Sequence, residues 1–155
     1  MKPRRTVARG SGWLLLVREP ASATERDARG VCRSSADVYS LIGERINREA
    51  VEVMYLIALN SRNGVVGLVE VSRGGVSGCS VTARDILRAG LVVPGCSGFI
   101  LVHNHPSGDP TPSSDDISTT RIVRDASEIV GLPLVDHVIV AGERFKSLRD
   151  LGILP

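Results

Sequence analysis

The sequence predicts an α/β fold: a mixed, mainly antiparallel sheet with helices covering both of its faces. Three observations carry that expectation. Short apolar runs rich in Val, Ile and Leu recur over residues 52–59, 65–71, 98–102 and 134–140, each of strand length. Between them, Ser34, Thr82 and Ser113 each stand three residues before an aspartate, a hydroxyl-and-carboxylate pairing that serves the exposed N–H groups of a helix start. Helical and extended segments alternate along the chain instead of grouping apart, which places layers on both sides of one sheet.

Taken in order, residues 1–33 form a basic arm in which Trp13-Leu-Leu-Leu-Val17 is a candidate strand, expected to pair with the sheet. Its five apolar residues are too few for a secretory leader, and Arg18-Glu-Pro20 interrupts them. A helix is expected from Ser34 to about Asn47, then a hairpin of strands 52–59 and 65–71 around the turn Asn60-Ser-Arg-Asn-Gly64. Gly74, Gly75 and Gly78 mark a flexible stretch before Val81, and a second helix should run from Thr82 to about Gly90. The strand over 98–102 enters a loop forced by Pro106, Gly108, Pro110 and Pro112, after which Ile117, Ile122, Val123 and Ile129 outline an amphipathic helix. Gly131-Leu-Pro133 ends it. A strand over 134–140 follows, and the tail from Phe145 should fold back through Leu148, Leu151 and Ile153.

At 155 residues and 43% hydrophobic content the chain can bury a core without staples, and one domain is expected over residues 34–155 behind the arm. No run is long enough to span a membrane. Cys32, Cys79 and Cys96 are an odd number without ligand or disulfide spacing, which suits a reducing cytoplasm. Charge is uneven. Residues 1–33 hold eight Lys and Arg against three Asp and Glu, so the arm carries +5 and the rest of a +2 chain carries −3. A basic arm can meet nucleic acid electrostatically, although the aromatic side chains that stack bases in a single-strand binder are missing from it.

The run from His103 to Asp116, HNHPSGDPTPSSDD, holds the chemistry. Side chains two apart on a strand share a face, so His103 and His105 project together. The prolines and glycine turn the chain back, and Asp116 falls on the first turn of the next helix, near the strand end. Two imidazoles and a carboxylate leave a fourth position open on a tetrahedral ion, the layout of a catalytic zinc site and not of a closed structural one. Ser113 and Asp116 read equally as a helix cap, and HNHP as a polar turn, but neither of those readings needs paired histidines at strand spacing.

The pattern His103-x-His105-Pro106, six residues, Ser113-x-x-Asp116 resembles the signature of the JAMM (MPN+) metalloproteases. The wording is closest to their RadC branch: EVMYLIALNSRNGVVG, LVHNHPSGDPTPSSDDISTTR and LPLVDHVIVAGERFKSLRDLGIL all look like that family, from about Ser34 to Pro155. The resemblance implies the JAMM architecture, related to that of cytidine deaminases, and a glutamate on an early strand that completes the site. The matching position is Glu52, 51 residues before His103, with Glu49 and Glu70 as competing candidates. It further implies Zn²⁺ on His103, His105 and Asp116, and Glu52 as the base that takes a proton from the activated water. Ser113 would donate to the developing oxyanion, worth on the order of 3 kcal/mol. Asp136-His137 also belongs to the resemblance, with a role beside the zinc, orienting a ligand or contacting substrate.

The expectation is therefore a cytoplasmic zinc metallopeptidase or isopeptidase-like hydrolase acting on a peptide or protein. Base deaminases need His-x-Glu and Pro-Cys-x-x-Cys, and the commonest metalloproteases need H-E-x-x-H; none of these is present. The alternative is a DNA-associated accessory protein, in the sense of the family's DNA repair association, that binds metal without cleaving amides. Fuller RadC-like proteins place a helix-hairpin-helix segment ahead of the metal domain, and the arm is too short to hold one.

Overall fold

The computed structural model describes residues 8–10, 13–15, 30–74 and 81–154. In the arm, β1 (Ala8–Gly10) and β2 (Trp13–Leu15) pair antiparallel as a two-stranded sheet of their own. This corrects the expectation that the Trp13 run joins the main sheet: its partner is the segment just before it, the pairing with the smallest loop-closure cost. The glycines at 75 and 78 and Cys79 lie outside the described residues.

Helix α1 (Ser35–Asn47) opens on the expected cap. Ser34 Oγ accepts from the Asp37 N–H at 3.2 Å, and Asp37 Oδ2 accepts from the Ser34 N–H at 3.0 Å. The hairpin β3 (Val53–Leu59) and β4 (Val65–Arg73) turns where predicted, with Asn60 Oδ1 accepting from the N–H groups of Arg62 and Gly64, both at 2.9 Å. Asn63 takes the left-handed conformation there, which asparagine tolerates. Then come α2 (Ala83–Leu91), β5 (Gly98–Asn104), α3 (Ser114–Ile129), β6 (Leu134–Ala141) and β7 (Arg144–Ser147).

The five-stranded sheet has the order β4-β3-β5-β6-β7. Only β5 and β6 run parallel, joined by the α3 crossover; the other three pairings are antiparallel. The fold is thus the mixed, mainly antiparallel α/β class read from the sequence. On one face Val38, Ile42 and Ile46 of α1 pack on Ile57, Val102 and Val140. On the other, Ile86 of α2 and Val123 of α3 pack with Leu56, Leu101 and Ile139. β5 lies between β3 and β6 with every residue buried, as expected of an apolar run covered on both faces.

Two details differ from the sequence reading. On α3, Ile122 and Ile129 are 59% and 87% exposed, while Thr120, Val123 and Ser127 face inward. The inward stripe escapes a hydrophobic pattern because two of its members are hydroxyls with committed partners: Ser127 Oγ donates to the Arg124 carbonyl and accepts from the Leu134 N–H. In the tail, Phe145 lies in the edge strand β7, and Leu148 and Leu154 are buried whereas Leu151 is half exposed. Of the cysteines, Cys32 and Cys96 are free thiols, and burial pushes Cys32 up to about 11. No helix among the described residues is long and apolar enough to cross a membrane.

Candidate metal centre

β5 delivers His103 to the sheet's second face, and the backbone of His105, held to β6 by its N–H on the Val140 carbonyl at 2.8 Å, extends the strand just far enough to keep both imidazoles on that face. The loop that follows is fastened to β7: Arg144 donates to the Gly108 carbonyl, and Lys146 Nζ donates to Thr111 Oγ1 at 2.9 Å. Ser113 then caps α3 and Asp116 stands on its first turn.

These elements bring three ligand atoms together. His103 Nε2 lies 3.0 Å from His105 Nε2 and 3.1 Å from Asp116 Oδ1, and His105 Nε2 lies 3.4 Å from Asp116 Oδ2. The sequence's two readings of Ser113 and Asp116 coexist: Ser113 Oγ accepts from the Asp116 N–H at 3.1 Å and donates to Asp116 Oδ2 at 2.7 Å, while the Ser113 N–H also donates to that oxygen. The cap holds Oδ2, which also lies nearest His105, and leaves Oδ1 beside His103.

The donor set fits a cation. His105 Nδ1 sits 2.8 Å from the Asp109 carbonyl, which can only accept, so Nδ1 carries a proton and the neutral ring offers its lone pair on Nε2. Two imidazole nitrogens and a carboxylate oxygen converge, an arrangement suited to a small divalent ion. Without one, a proton must serve. The hydrogen bond to Asp116 raises the His105 pKa against its burial, with further help from the Asp109 carbonyl and the charge of Glu52. Burial works against ionisation of Asp116, yet hydrogen bonds from His103, His105 and Ser113 outweigh it and hold the carboxyl well below the usual range.

Behind His103 runs a buried series. His103 Nδ1 is 2.8 Å from His137 Nε2, His137 Nδ1 is 2.7 Å from Thr120 Oγ1, and Thr120 Oγ1 donates to the Asp116 carbonyl at 2.6 Å. His137 is fully buried, and burial first, then the charge of His103, pushes its pKa well below the ordinary imidazole value. The pair Asp136-His137 thus divides. Alternation along β6 turns Asp136 to the opposite face, where its carboxylate accepts from Ser147 Oγ at 2.7 Å and from the N–H groups of His137 and Arg149. Asp136 ties β6 to the tail and does not reach the ligands, a correction to the sequence expectation; burial raises its pKa against those hydrogen bonds.

The three candidate acids also separate. Glu52 lines the cavity of about 670 Å³ in front of the histidines, together with Ser113 and Asp116. Glu49 and Glu70 are engaged elsewhere, both by the guanidinium of Arg73 and Glu70 also by the Tyr55 hydroxyl at 3.0 Å. Arg73 draws both carboxyls below their ordinary values. Three residues at the site were not singled out from sequence. Thr120 is one helical turn beyond Asp116, a spacing that could have drawn notice. Asn104 holds the segment before β3. Ser72 reaches the cavity wall through a β-bulge: Met54 opposes Ser72 and Tyr55 opposes Glu70, so Val71 is extra and Ser72 shares Met54's face. Its buried Oγ has no hydrogen-bond partner among the described residues.

Residues 32–153 match the RadC-like JAB domain family. The chain is 37% identical over 121 residues to a UPF0758 protein of Clostridium beijerinckii, covering 78% of this chain and 52% of that protein. A UPF0758 protein of Desulfitobacterium hafniense is 36% identical over 126 residues, 81% of this chain and 55% of that one, and one of Methanosarcina acetivorans is 32% identical over 139 residues, 90% and 60% respectively. The chain thus spans about half the length of these relatives. With its match running from two residues before the α1 cap to the tail, the chain belongs to the RadC-like JAB domain family.

Proposed function

We propose that the chain is a hydrolase that cleaves an amide bond, peptide or isopeptide, using Zn²⁺ held by His103, His105 and Asp116, in a cytoplasmic setting. The observation that carries this reading is the convergence of two imidazole Nε2 atoms and a carboxylate oxygen at the wall of an open cavity that Glu52 and Ser113 also line. A bound Zn²⁺ lowers the pKa of its water toward about 7 and polarises a carbonyl. Glu52, whose carboxylate makes no hydrogen bond or ion pair among the described residues, takes the proton of the attacking water and returns it to the departing amine nitrogen. Ser113 turns its hydroxyl from Asp116 to the oxygen that gains charge as the carbonyl is attacked. Asp116, with one oxygen held by the cap, keeps the other directed at the ion.

A second reading, a DNA-associated protein with a metal-binding domain and no peptidase activity, draws on the +5 charge of residues 1–33. The two are separated by Glu52→Gln. The variant should retain about one zinc per chain by plasma emission while hydrolysis of peptide and isopeptide libraries falls by a factor on the order of a hundred or more. Zinc loss would make Glu52 a ligand, and undiminished turnover would remove it from the chemistry.

A further inference from the structure

We propose that His137 is a positioning residue for His103: the series from the Asp116 carbonyl through Thr120 and His137 holds the His103 imidazole in the tautomer that presents a bare Nε2 to a cation. The ligand role rests on the metal-binding reading above; the tautomer does not. The protons can be placed one at a time. Thr120 Oγ1 lies 2.6 Å from a backbone carbonyl, which has no proton to give, so the hydroxyl hydrogen is spent there. At 2.7 Å from His137 Nδ1 the same oxygen must then accept, which puts the His137 proton on Nδ1. His137 is 0% exposed and hydrogen-bonds to no carboxylate, so the ring is neutral and its Nε2 is bare. That nitrogen, 2.8 Å from His103 Nδ1, has to receive a proton from it. His103 is left with its lone pair on Nε2, the atom facing His105 and Asp116.

The opposite tautomer would aim an N–H at the cation and leave two bare nitrogens 2.8 Å apart with nothing between them, whereas the two Nε2 atoms that the assigned tautomer sets 3.0 Å apart meet across the cation or, without it, across a proton carried by His105. The series also closes on itself. It begins at the backbone of one ligand, Asp116, and ends at the ring of another, so α3, β6 and β5 are registered to one another through the groups that meet the ion. His105 is set separately, by the Asp109 carbonyl of its own loop. Thr120 occupies an inward position of α3 where the helical pattern would place an aliphatic residue, and a hydroxyl there serves this chain of bonds.

The experiment is ¹⁵N–¹H spectroscopy of the imidazoles in the full, metal-free chain above the ordinary imidazole pKa range, with zinc affinity by chelator competition as a second readout. Wild type should show His103 protonated on Nδ1. His137→Phe should mix the His103 tautomers and weaken zinc binding by about 10- to 100-fold, the usual cost of losing such an outer partner. His137→Gln, whose Oε1 can still accept, should recover much of both. Thr120→Val, of nearly the same shape, provides the test if His137→Phe does not fold, and should loosen the same tautomer. His103 protonated on Nε2 in wild type would overturn the proposal, as would a folded His137→Phe or Thr120→Val that binds zinc as wild type does. A wild type that binds no zinc but keeps its proton on Nδ1 would overturn the metal reading and not the tautomer.

Discussion

The backbone N–H of Val53 donates to Asn104 Oδ1 at 2.8 Å, and Asn104 Nδ2 donates to the carbonyls of Val51 at 3.0 Å and Glu49 at 3.4 Å. One buried carboxamide thus grips the chain on both sides of Glu52 from the strand that carries His103. Asn104→Leu should cost about 1–3 kcal/mol, the range for leaving buried backbone groups unpaired. Zinc should stay, because no ligand is touched, while Glu52-dependent hydrolysis falls. Urea unfolding, metal content and turnover on the same preparation check this, and a folded variant with wild-type turnover would show that Glu52 needs no such grip.

Removal of a ligand is the plainest test of the centre. Purified protein should carry about one zinc per chain, and His103→Ala should lose most of it, since two remaining ligands do not sustain such a site. Equal metal in both proteins would rule the site out.

The metal-free and zinc-loaded proteins should respond to pH in opposite senses. The His105 pKa is raised in the folded, metal-free chain, so its contribution is fully present below the unfolded imidazole value and is lost as pH rises through the higher folded one. Zinc competes with that same proton, so its stabilisation grows as pH rises and vanishes on acidification. Melting temperatures with chelator should therefore fall across the imidazole range and those with zinc should rise. Parallel curves would mean that His105 does not hold the ion.

Ser113 serves the helix and faces the cavity, and two substitutions separate these tasks. Ser113→Ala removes the cap at a cost of about 1 kcal/mol, whereas Ser113→Gly costs only a few tenths. Both lose the hydroxyl and should lose turnover by about 10²- to 10³-fold. If the glycine variant keeps its activity, the hydroxyl matters only to the helix.

The arm decides the rival reading. Any DNA binding should come from Arg4, Arg5, Arg9 and their neighbours, weaken by about 0.9 in log–log slope per phosphate contact as salt rises, and disappear when residues 1–11 are deleted. That deletion should leave zinc content unchanged. Salt-sensitive binding by the shortened chain would place the contact elsewhere and favour the accessory-factor reading.

The grouping of His103, His105 and Asp116 was legible because it depends on local rules: strand alternation, a loop forced by prolines, and a helix start marked by its own cap. Glu52 was reachable only through the family resemblance, since nothing near it in sequence distinguishes it from Glu49 or Glu70; Arg73 makes that distinction by occupying both rivals. The histidine of the Asp136-His137 pair meets the site and the aspartate does not, which strand parity alone would have separated once β6 was registered against β5. Ser72 was hidden by its bulge, which inverts the parity that a sequence reader must assume. Asn104 was hidden because its partners lie 51 to 55 residues away and are backbone atoms, which no side-chain pattern records.

The loop between His105 and Ser113 begins at one ligand, ends at the cap of another, and is pinned midway by Arg144 and Lys146. Surface connections ordinarily absorb insertions and deletions freely. Here one added residue would either break the pins or carry Asp116 out of register with two imidazoles that β5 holds in place. The turn at Asn60–Gly64, at the far end of the hairpin, is bonded to the Cys32 N–H through the Asn63 carbonyl but carries no ligand whose register a changed length would disturb. Related chains should therefore vary in length at the turn and keep an identical residue count between the second histidine and the aspartate.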